Sequence, residues 1–373
     1  MRYYLIAGEA SGDLHGSNLV KAIRKEDADA IFQGWGGDLM TNAGTKITKH
    51  YRELAFMGFY EVVKNIGTIR ENFKLCKEDI LSFQPDVVIL IDYPGFNLRM
   101  AKWIKKQKIK IAYYISPQIW AWHTSRVHNI KKLVDQMLVI LPFEKTFYQQ
   151  YNYEVEFVGH PLLDHLKNLP PTDNFRIRHQ LNKKPIIALL PGSRKQEIKK
   201  MLTGMLAVVN QFKDYQFVIA GAPSIPLDYY QDLISSQDFS ESFTPKVVSN
   251  QTYQLLSASH TALVTSGTAT LETALFGVPQ IVCYTGNPVS FQLARRLIKV
   301  KYISLVNLIL DKPLVMELIQ SDFNEKKITS ELNNILSENH RNEILAGYSE
   351  LKIALGESGA SERAAKRIYG LIF

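Results

Sequence analysis

The chain has 373 residues, 46% of them hydrophobic and 21% charged, with a formal net charge of +8 and two cysteines. These are the proportions of a globular protein, and the length is too great for one ordinary core and suits two domains. Cys76 and Cys283 fall in different halves within apolar surroundings, so two buried free thiols are expected rather than a disulfide or a cysteine metal site. No run reaches the about 18 to 20 consecutive apolar residues that span a bilayer. The opening MRYYLIAGEASGD is apolar too briefly for a secretory signal and turns acidic at Glu9 and Asp13, so a cytoplasmic chain is expected. The basic surplus suits nucleic acid, an anionic membrane face or phosphorylated substrates, or no charged partner at all.

Tyr3–Ala7 predicts a short strand, and Ser17–Lys25 a helix with Leu19, Val20 and Ile23 on one face. The turn between them, Gly8-Glu9-Ala10-Ser11-Gly12-Asp13, stands where a dinucleotide fold carries its glycine fingerprint. Its spacing is not GxGxxG and Glu9 would repel a phosphate, which excludes a nicotinamide or flavin site. Either Ser11 or Asp13 caps the helix, or the small residues let a substrate approach, with Glu9 and Ser11 offering hydrogen bonds.

Ala30–Gly34 predicts a second strand. Residues 54–76 carry nine large apolar side chains from Phe56 to Phe73, together with Lys64, Arg70 and Lys74. They read equally as core or as an apolar surface for acyl chains at an anionic interface. DVVILID, Asp86–Asp92, is a strand of the kind buried on both faces of a parallel sheet. Asp92 at its mouth is partly desolvated, which raises a carboxyl pKa and suits a general base. The competing reading makes it a cap of the next helix, for which Asn97 is an equal candidate.

Met100–Gln107 predicts a basic helix, and Lys110–Ile115 and Gln136–Ile140 two more strands. Between those strands, Gln118, Trp120 and Trp122 belong to a loop whose indoles either stack on a sugar ring or serve as packing. His123, His128 and His160 are too scattered for metal ligation, and His160 reads as structural. The three prolines in Gly159–Pro171 place a linker there.

The alternation then restarts with strands at Ile186–Leu190, Phe217–Ala220, Lys246–Val248, Ala262–Val264 and Gln280–Cys283, and is helical from about Ser330. Gly192, Ser193 and Arg194 follow the first of these strands. Ser266, Gly267 and Thr268 follow the fourth and open a helix that carries Glu272. Exposed N–H groups at a helix start cradle phosphate, Arg194 can fork two hydrogen bonds to one, and Glu272 can accept from ribose hydroxyls. Each motif alone is also an ordinary capped turn. The lysine P-loop is absent. The pattern predicts an α/β protein of two doubly wound domains facing a central cleft.

The chain resembles the lipid-A-disaccharide synthases. The resemblance rests on AGEASGD (7–13), PDVVILIDYPGFN (85–97), YYISPQIWAW (113–122), LPFE (141–144), VGHPLLD (158–164), LLPGSRKQEI (189–198), TSGTATLE (265–272), KVKYISLVN (299–307) and GASERAA (359–365). It implies a GT-B glycosyltransferase with an acceptor and lipid-side domain over 1–165, a UDP-sugar domain over 166–345 and C-terminal helices over 346–373 that pack back on the first domain. The implied reaction moves 2,3-diacylglucosamine from its UDP conjugate to 2,3-diacylglucosamine 1-phosphate with inversion. The product is the β-1,6 lipid A disaccharide 1-phosphate. Carried over, Asp92 is the base with Glu9 and Ser11 near the reacting sugars. Arg194, Ser266, Thr268, Glu272 and Asn307 belong to the UDP side. No metal or cofactor is implied. The expected partners are those two substrates and the inner face of the inner membrane, with a homodimer admitted and no nucleic acid.

Overall fold

The computed structural model describes residues 1–54, 66–167, 174–239, 243–287, 291 and 300–372. Seven parallel strands form one sheet: β1 (Arg2–Ala7), β2 (Ile31–Gly36), β3 (Lys46–His50), β4 (Val87–Ile91), β5 (Lys110–Tyr114), β6 (Gln136–Val139) and β7 (Glu156–Phe157), in the order β3-β2-β1-β4-β5-β6-β7. Six more form a second: β8 (Ile186–Leu190), β9 (Gln216–Gly221), β10 (Lys246–Ser249), β11 (Thr261–Thr265), β12 (Gln280–Tyr284) and β13 (Glu317–Ile319), in the order β10-β9-β8-β11-β12-β13.

The central strands explain the parallel pairing. β4 and β8 are apolar and buried at every position, which requires helices on both faces of the sheet. Successive side chains of β1 serve opposite faces. Tyr4 and Ile6 pack with Trp35, Ile80 and Met100 on one side. Tyr3 and Leu5 pack with Leu19, Ile23 and Ile368 on the other. β3, β7 and β13 are missing from the sequence reading. They are short, partly polar edge strands, which avoid further pairing in this way and so lack the apolar run that reveals a strand.

Strand order reverses once in each sheet, at β1–β4 and at β8–β11. The connections after those strands leave toward opposite faces, which opens a crevice at their carboxyl ends. This topology therefore marks four loops: those after β1, β4, β8 and β11.

The chain divides into two compact units, Met1–Asn168 with Leu355–Phe373, and Leu169–Ala354. The division falls inside the expected linker, Gly159–Pro171, of which Pro161–Lys167 is helical and residues 168–173, with the proline pair, lie outside the described residues. Proline suits the first turn, where its missing N–H costs nothing, and the Leu162 N–H donates to His160 Nδ1 at 3.2 Å. Burial pushes the His160 imidazole down to about 3, so it is neutral near pH 7.

The segment that returns to the first unit starts at Leu355, later than residue 346. Position 346 lies inside the helix Glu338–Leu355, whose buried Tyr348 donates to the Val278 carbonyl of the second unit at 3.2 Å. The returning segment carries the helix Ala360–Gly370. Asp164 accepts the N–H groups of Gly359, Ala360 and Ser361 and so caps that helix from a distance in sequence. Arg363 Nε donates to the Val158 carbonyl at 2.8 Å.

Cys76 and Cys283 are free and buried, one in each unit. Of the apolar stretch 54–76, residues 55–65 lie outside the described residues. From Ile66 it is a helix to Phe83, in which Phe73 stacks on Phe96 at 4.4 Å and Cys76 joins the core. No helix among the described residues is long and apolar enough to cross a membrane.

Candidate active site

The first unit puts its candidates at the reversal of its sheet. Asp92 follows β4, and Glu9 and Ser11 follow β1, at neighbouring strand ends. Asp92 and Tyr93 both adopt left-handed backbone, with φ of 44° and 48°, and Ile115 after β5 does so at 67°. Such strain in Tyr and in β-branched Ile persists only where the surroundings over-determine it, and it concentrates at functional sites. Here the restraint is visible. The Asp92 carbonyl accepts from Asn97 Nδ2 and from the Tyr113 hydroxyl, each at 2.7 Å. The Tyr93 ring closes over Gly8, where a Cβ would lie 2.4 Å from it.

Burial raises the Asp92 carboxyl from 3.8 to about 6, and the Glu9 carboxylate adds to the shift. A carboxylate with that affinity for a proton, held at a strand mouth, can take a proton from a hydroxyl near neutral pH. Glu9 is the exposed residue before the helix Ala10–Glu26, and its side chain makes no capping bond. Ser11 lies exposed in the first turn. Neither Ser11 nor Asp13 is the N-cap. Asp13 is buried and instead accepts the N–H groups of Gly37, Leu39 and Met40 at 2.8 to 3.1 Å, which caps the next helix, Asp38–Asn42.

A cavity of about 260 Å³ opens beside Asp92 and is lined by Ser116, Gln118, Trp122 and Glu144 among others. The two indoles differ in their surroundings. Trp120 is 8% exposed, packs edge-on to Phe143 and donates from Nε1 to Glu144 at 3.2 Å. It serves the loop as packing, because its one donor is spent inside the fold. Trp122 is 50% exposed and lines the cavity.

Glu144 was not singled out from sequence. Its carboxylate accepts from the N–H groups of Ile140 and Leu141 at 3.2 and 2.9 Å as well as from Trp120, and burial raises it to about 7. The signal is the spacing in LPFE, where a proline opens the helix and a glutamate at the third helical position reaches back to the Leu141 N–H, half of a capping box. Asn97 lies fully buried, with Nδ2 on the carbonyls of Ile6, Ile91 and Asp92. It joins the ends of β1 and β4 and so positions Asp92.

The second unit repeats the arrangement with different chemistry. A cavity of about 510 Å³ lies at its own reversal. It is lined by Gly192, Ser193 and Arg194 after β8, by Thr265 at the end of β11 and Ser266, Gly267, Thr268 and Glu272 after it, and by Glu197. Two helices begin there, Lys195–Leu206 and Thr268–Leu275. Their amino ends give the cavity a field suited to an anion. Burial raises the Glu272 carboxyl, and Tyr253 donates its hydroxyl to it at 3.0 Å. The buried Thr265 hydroxyl finds no partner among the described residues. Such a group in a cavity wall is expected to meet a ligand or water.

Asn307 is not brought to that wall. It is 1% exposed, and its amide is consumed by the Val315 N–H and carbonyl and by Glu317, at 2.8 to 2.9 Å. Glu317 also accepts the N–H groups of Ile303 and Ser304. The Ile303 carbonyl accepts from Ser266 Oγ at 3.0 Å. Asn307 therefore braces the segment that holds Ser266. A larger cavity of about 690 Å³ includes Gln136 and Glu156 at the amino ends of β6 and β7. That is the wrong edge for a ligand in a parallel sheet, and it carries none of these residues.

Comparison with known proteins joins these observations to a family. The model of the lipid-A-disaccharide synthetase family matches residues 3–368. A lipid-A-disaccharide synthase of Coxiella burnetii is 38% identical over 99% of this chain and 98% of its own. That of Syntrophus aciditrophicus is 39% identical over 99% of this chain and 97% of its own. Among solved structures, the UDP-GlcNAc 2-epimerase of Neisseria meningitidis bound to UDP-GlcNAc is similar with a TM-score of 0.67 at 14% identity, over 99% of this chain and 100% of its own. A calicheamicin glycosyltransferase is similar with a TM-score of 0.60 at 14% identity, over 99% of this chain and 98% of its own. The structural likenesses establish the two-domain Rossmann-like architecture, whereas the sequence match decides among the proteins that share it. The chain belongs to the lipid-A-disaccharide synthetase family, glycosyltransferases of lipid A biosynthesis with the GT-B fold.

Proposed function

We propose that this enzyme transfers 2,3-diacylglucosamine from its UDP conjugate to the 6-hydroxyl of 2,3-diacylglucosamine 1-phosphate with inversion at the anomeric carbon. Asp92 accepts the proton of the acceptor hydroxyl as the new carbon–oxygen bond forms. The bond from the anomeric carbon to the UDP oxygen breaks, and its electron pair leaves with UDP. Arg194, the backbone at Gly192–Ser193 and the helix that starts at Thr268 receive the diphosphate, and Glu272 accepts from the ribose. One base suffices for inversion, without a covalent intermediate. The observation that carries this reading is the half-buried Asp92 with its raised pKa, held beside the strained Tyr93 at the mouth of β4, on a chain of this family.

Trp122 presents its face to the acceptor sugar. Trp122→Ala is expected to raise the acceptor KM about tenfold with little change in kcat, because stacking is worth roughly 1 kcal/mol or more. Steady-state kinetics with varied acceptor measure it, and an unchanged KM rejects the contact. The enzyme works at the inner face of the inner membrane, attached peripherally. The net charge of +8 and the apolar run at 54–76 support this.

The direct test is incubation with both lipid substrates, followed by mass spectrometry of the product and assay of UDP. A tetraacyl disaccharide 1-phosphate is the expected result. Conversion of UDP-GlcNAc to its 2-epimer would support an epimerase instead, a reading that rests on fold likeness alone. Lipid binding without UDP release would support a carrier.

A further inference from the structure

Among the residues lining the second unit's cavity, Glu197 has no part in the reading above, and its position is unusual for an anion site. It stands in the first turn of the helix Lys195–Leu206 and folds back across Gly192. Its Oε2 accepts the N–H of Ser193 at 3.1 Å. A Cβ on Gly192 would lie 2.1 Å from that oxygen, and Gly192 has a φ of 100°, so glycine both permits the backbone and leaves room for the carboxylate. A fixed negative group thus occupies one amide of the cradle proposed for the diphosphate.

Such a group favours the helix start while the cavity is empty. It opposes any anion that enters, and the opposition grows with the anion's charge. The two nucleotides of the reaction differ in that respect. In the donor the diphosphate is esterified at both ends, whereas the leaving UDP ends in a free phosphate. A terminal phosphate has a second ionisation near pH 6, so UDP carries about one more negative charge near neutrality.

We infer that the Glu197 carboxylate discriminates against UDP relative to the UDP-sugar donor and so drives product release from this cavity. The inference rests on the nucleotide reading of that cavity. Glu197 competes with the phosphate for the Ser193 amide and repels the extra charge created when the bond to the sugar breaks. The donor, with less charge, is penalised less. The residue acts on the balance between substrate and product and takes no proton in the reaction.

The test compares Glu197→Gln and Glu197→Ala with the wild type by calorimetry, using UDP and the UDP-diacylglucosamine donor, and by UDP inhibition of turnover. Glu197→Gln is expected to tighten both ligands and to tighten UDP more than the donor, by a further factor of about two to five, the size expected for one extra unit charge acting across a partly solvated cavity. The difference between the ligands is expected to shrink at high salt. A merely structural cap would alter melting temperature and leave the ratio of the two affinities unchanged, and that result overturns the inference. Weaker UDP binding in both variants overturns it too, because Glu197 would then be accepting a hydrogen bond from the nucleotide. If the wild type itself binds no UDP, the nucleotide reading of the cavity fails and the inference with it. Wild-type UDP binding with an unaltered ratio in the variants rejects the role of Glu197 alone.

Discussion

Asp92→Asn is expected to lower turnover by about two to four orders of magnitude, the usual contribution of a positioned base, while UDP affinity stays within about twofold. The amide keeps the size and backbone of the aspartate and loses only the ability to accept a proton. UDP is proposed to bind in the cavity after β8 and β11, which Asp92 does not line. With the carboxyl raised to about 6, wild-type kcat/KM should climb as pH rises through about 6 and level off above it.

The same shift acts on stability. A carboxyl that binds its proton more tightly folded than unfolded costs the fold progressively between its ordinary value near 4 and about 6. The full cost is present above that window. Asparagine removes it and also tolerates the left-handed backbone at this position. The inactive variant should therefore melt higher at pH 7 by about 2–4 °C, the shift that roughly 1 kcal/mol produces in domains of this size. Normal turnover in the variant would reject Asp92 as the base. Lost turnover with a lowered melting temperature would mean that the substitution had damaged the strand end instead.

Arg194→Ala and Glu272→Ala should each weaken UDP, but in different ways. Arg194 is exposed and immediately precedes the helix after β8. Losing its charged hydrogen bonds to phosphate should cost UDP about tenfold or more and uridine almost nothing. Glu272 is held by Tyr253 in the cavity wall. Its removal takes away the proposed acceptor for ribose. Glu272→Ala should therefore weaken uridine and UDP alike, by about tenfold. Calorimetry with both ligands separates the two effects. Unchanged UDP affinity in both variants would remove the nucleotide from this cavity.

Much of the fold was legible because doubly wound sheets advertise their inner strands. Runs such as VVILI and IIALL are too apolar for any place but the middle of a covered parallel sheet. The edge strands β3, β7 and β13 escaped because an edge strand needs only part of its surface buried. The segment Gly159–Pro171 reads as a chain break from its three prolines, yet Pro161–Lys167 within it is helical. Its helix depends on tolerance of proline in the first turn and on a cap from His160.

The candidate site was legible in part for a related reason. Asp92, Arg194 and Glu272 sit where a polar residue closes an apolar strand or follows a small-residue turn, a pattern visible in one dimension. Trp120 and Trp122, two positions apart, cannot be told apart in that way. Which indole faces inward depends on a short helix, Ile119–Trp122, and on a carboxylate 24 positions from Trp120. Asn307 likewise stands in a motif, yet its amide is spent on Val315 and Glu317.

By itself the sequence determined the alternation of strand and helix, the composition of each turn and membership of the family, because these reside in local patterns and in their order along the chain. Only the tertiary structure decided which strands are neighbours. That placement put the loops after β1 and β4, and after β8 and β11, at the reversals of two sheets. It also decided which side chains were consumed by the fold and which were left facing a cavity. Hydrogen bonding and desolvation depend on partners distant in the chain, so Asp92 gains its raised pKa, and Trp120 and Asn307 lose their freedom, only when those partners arrive.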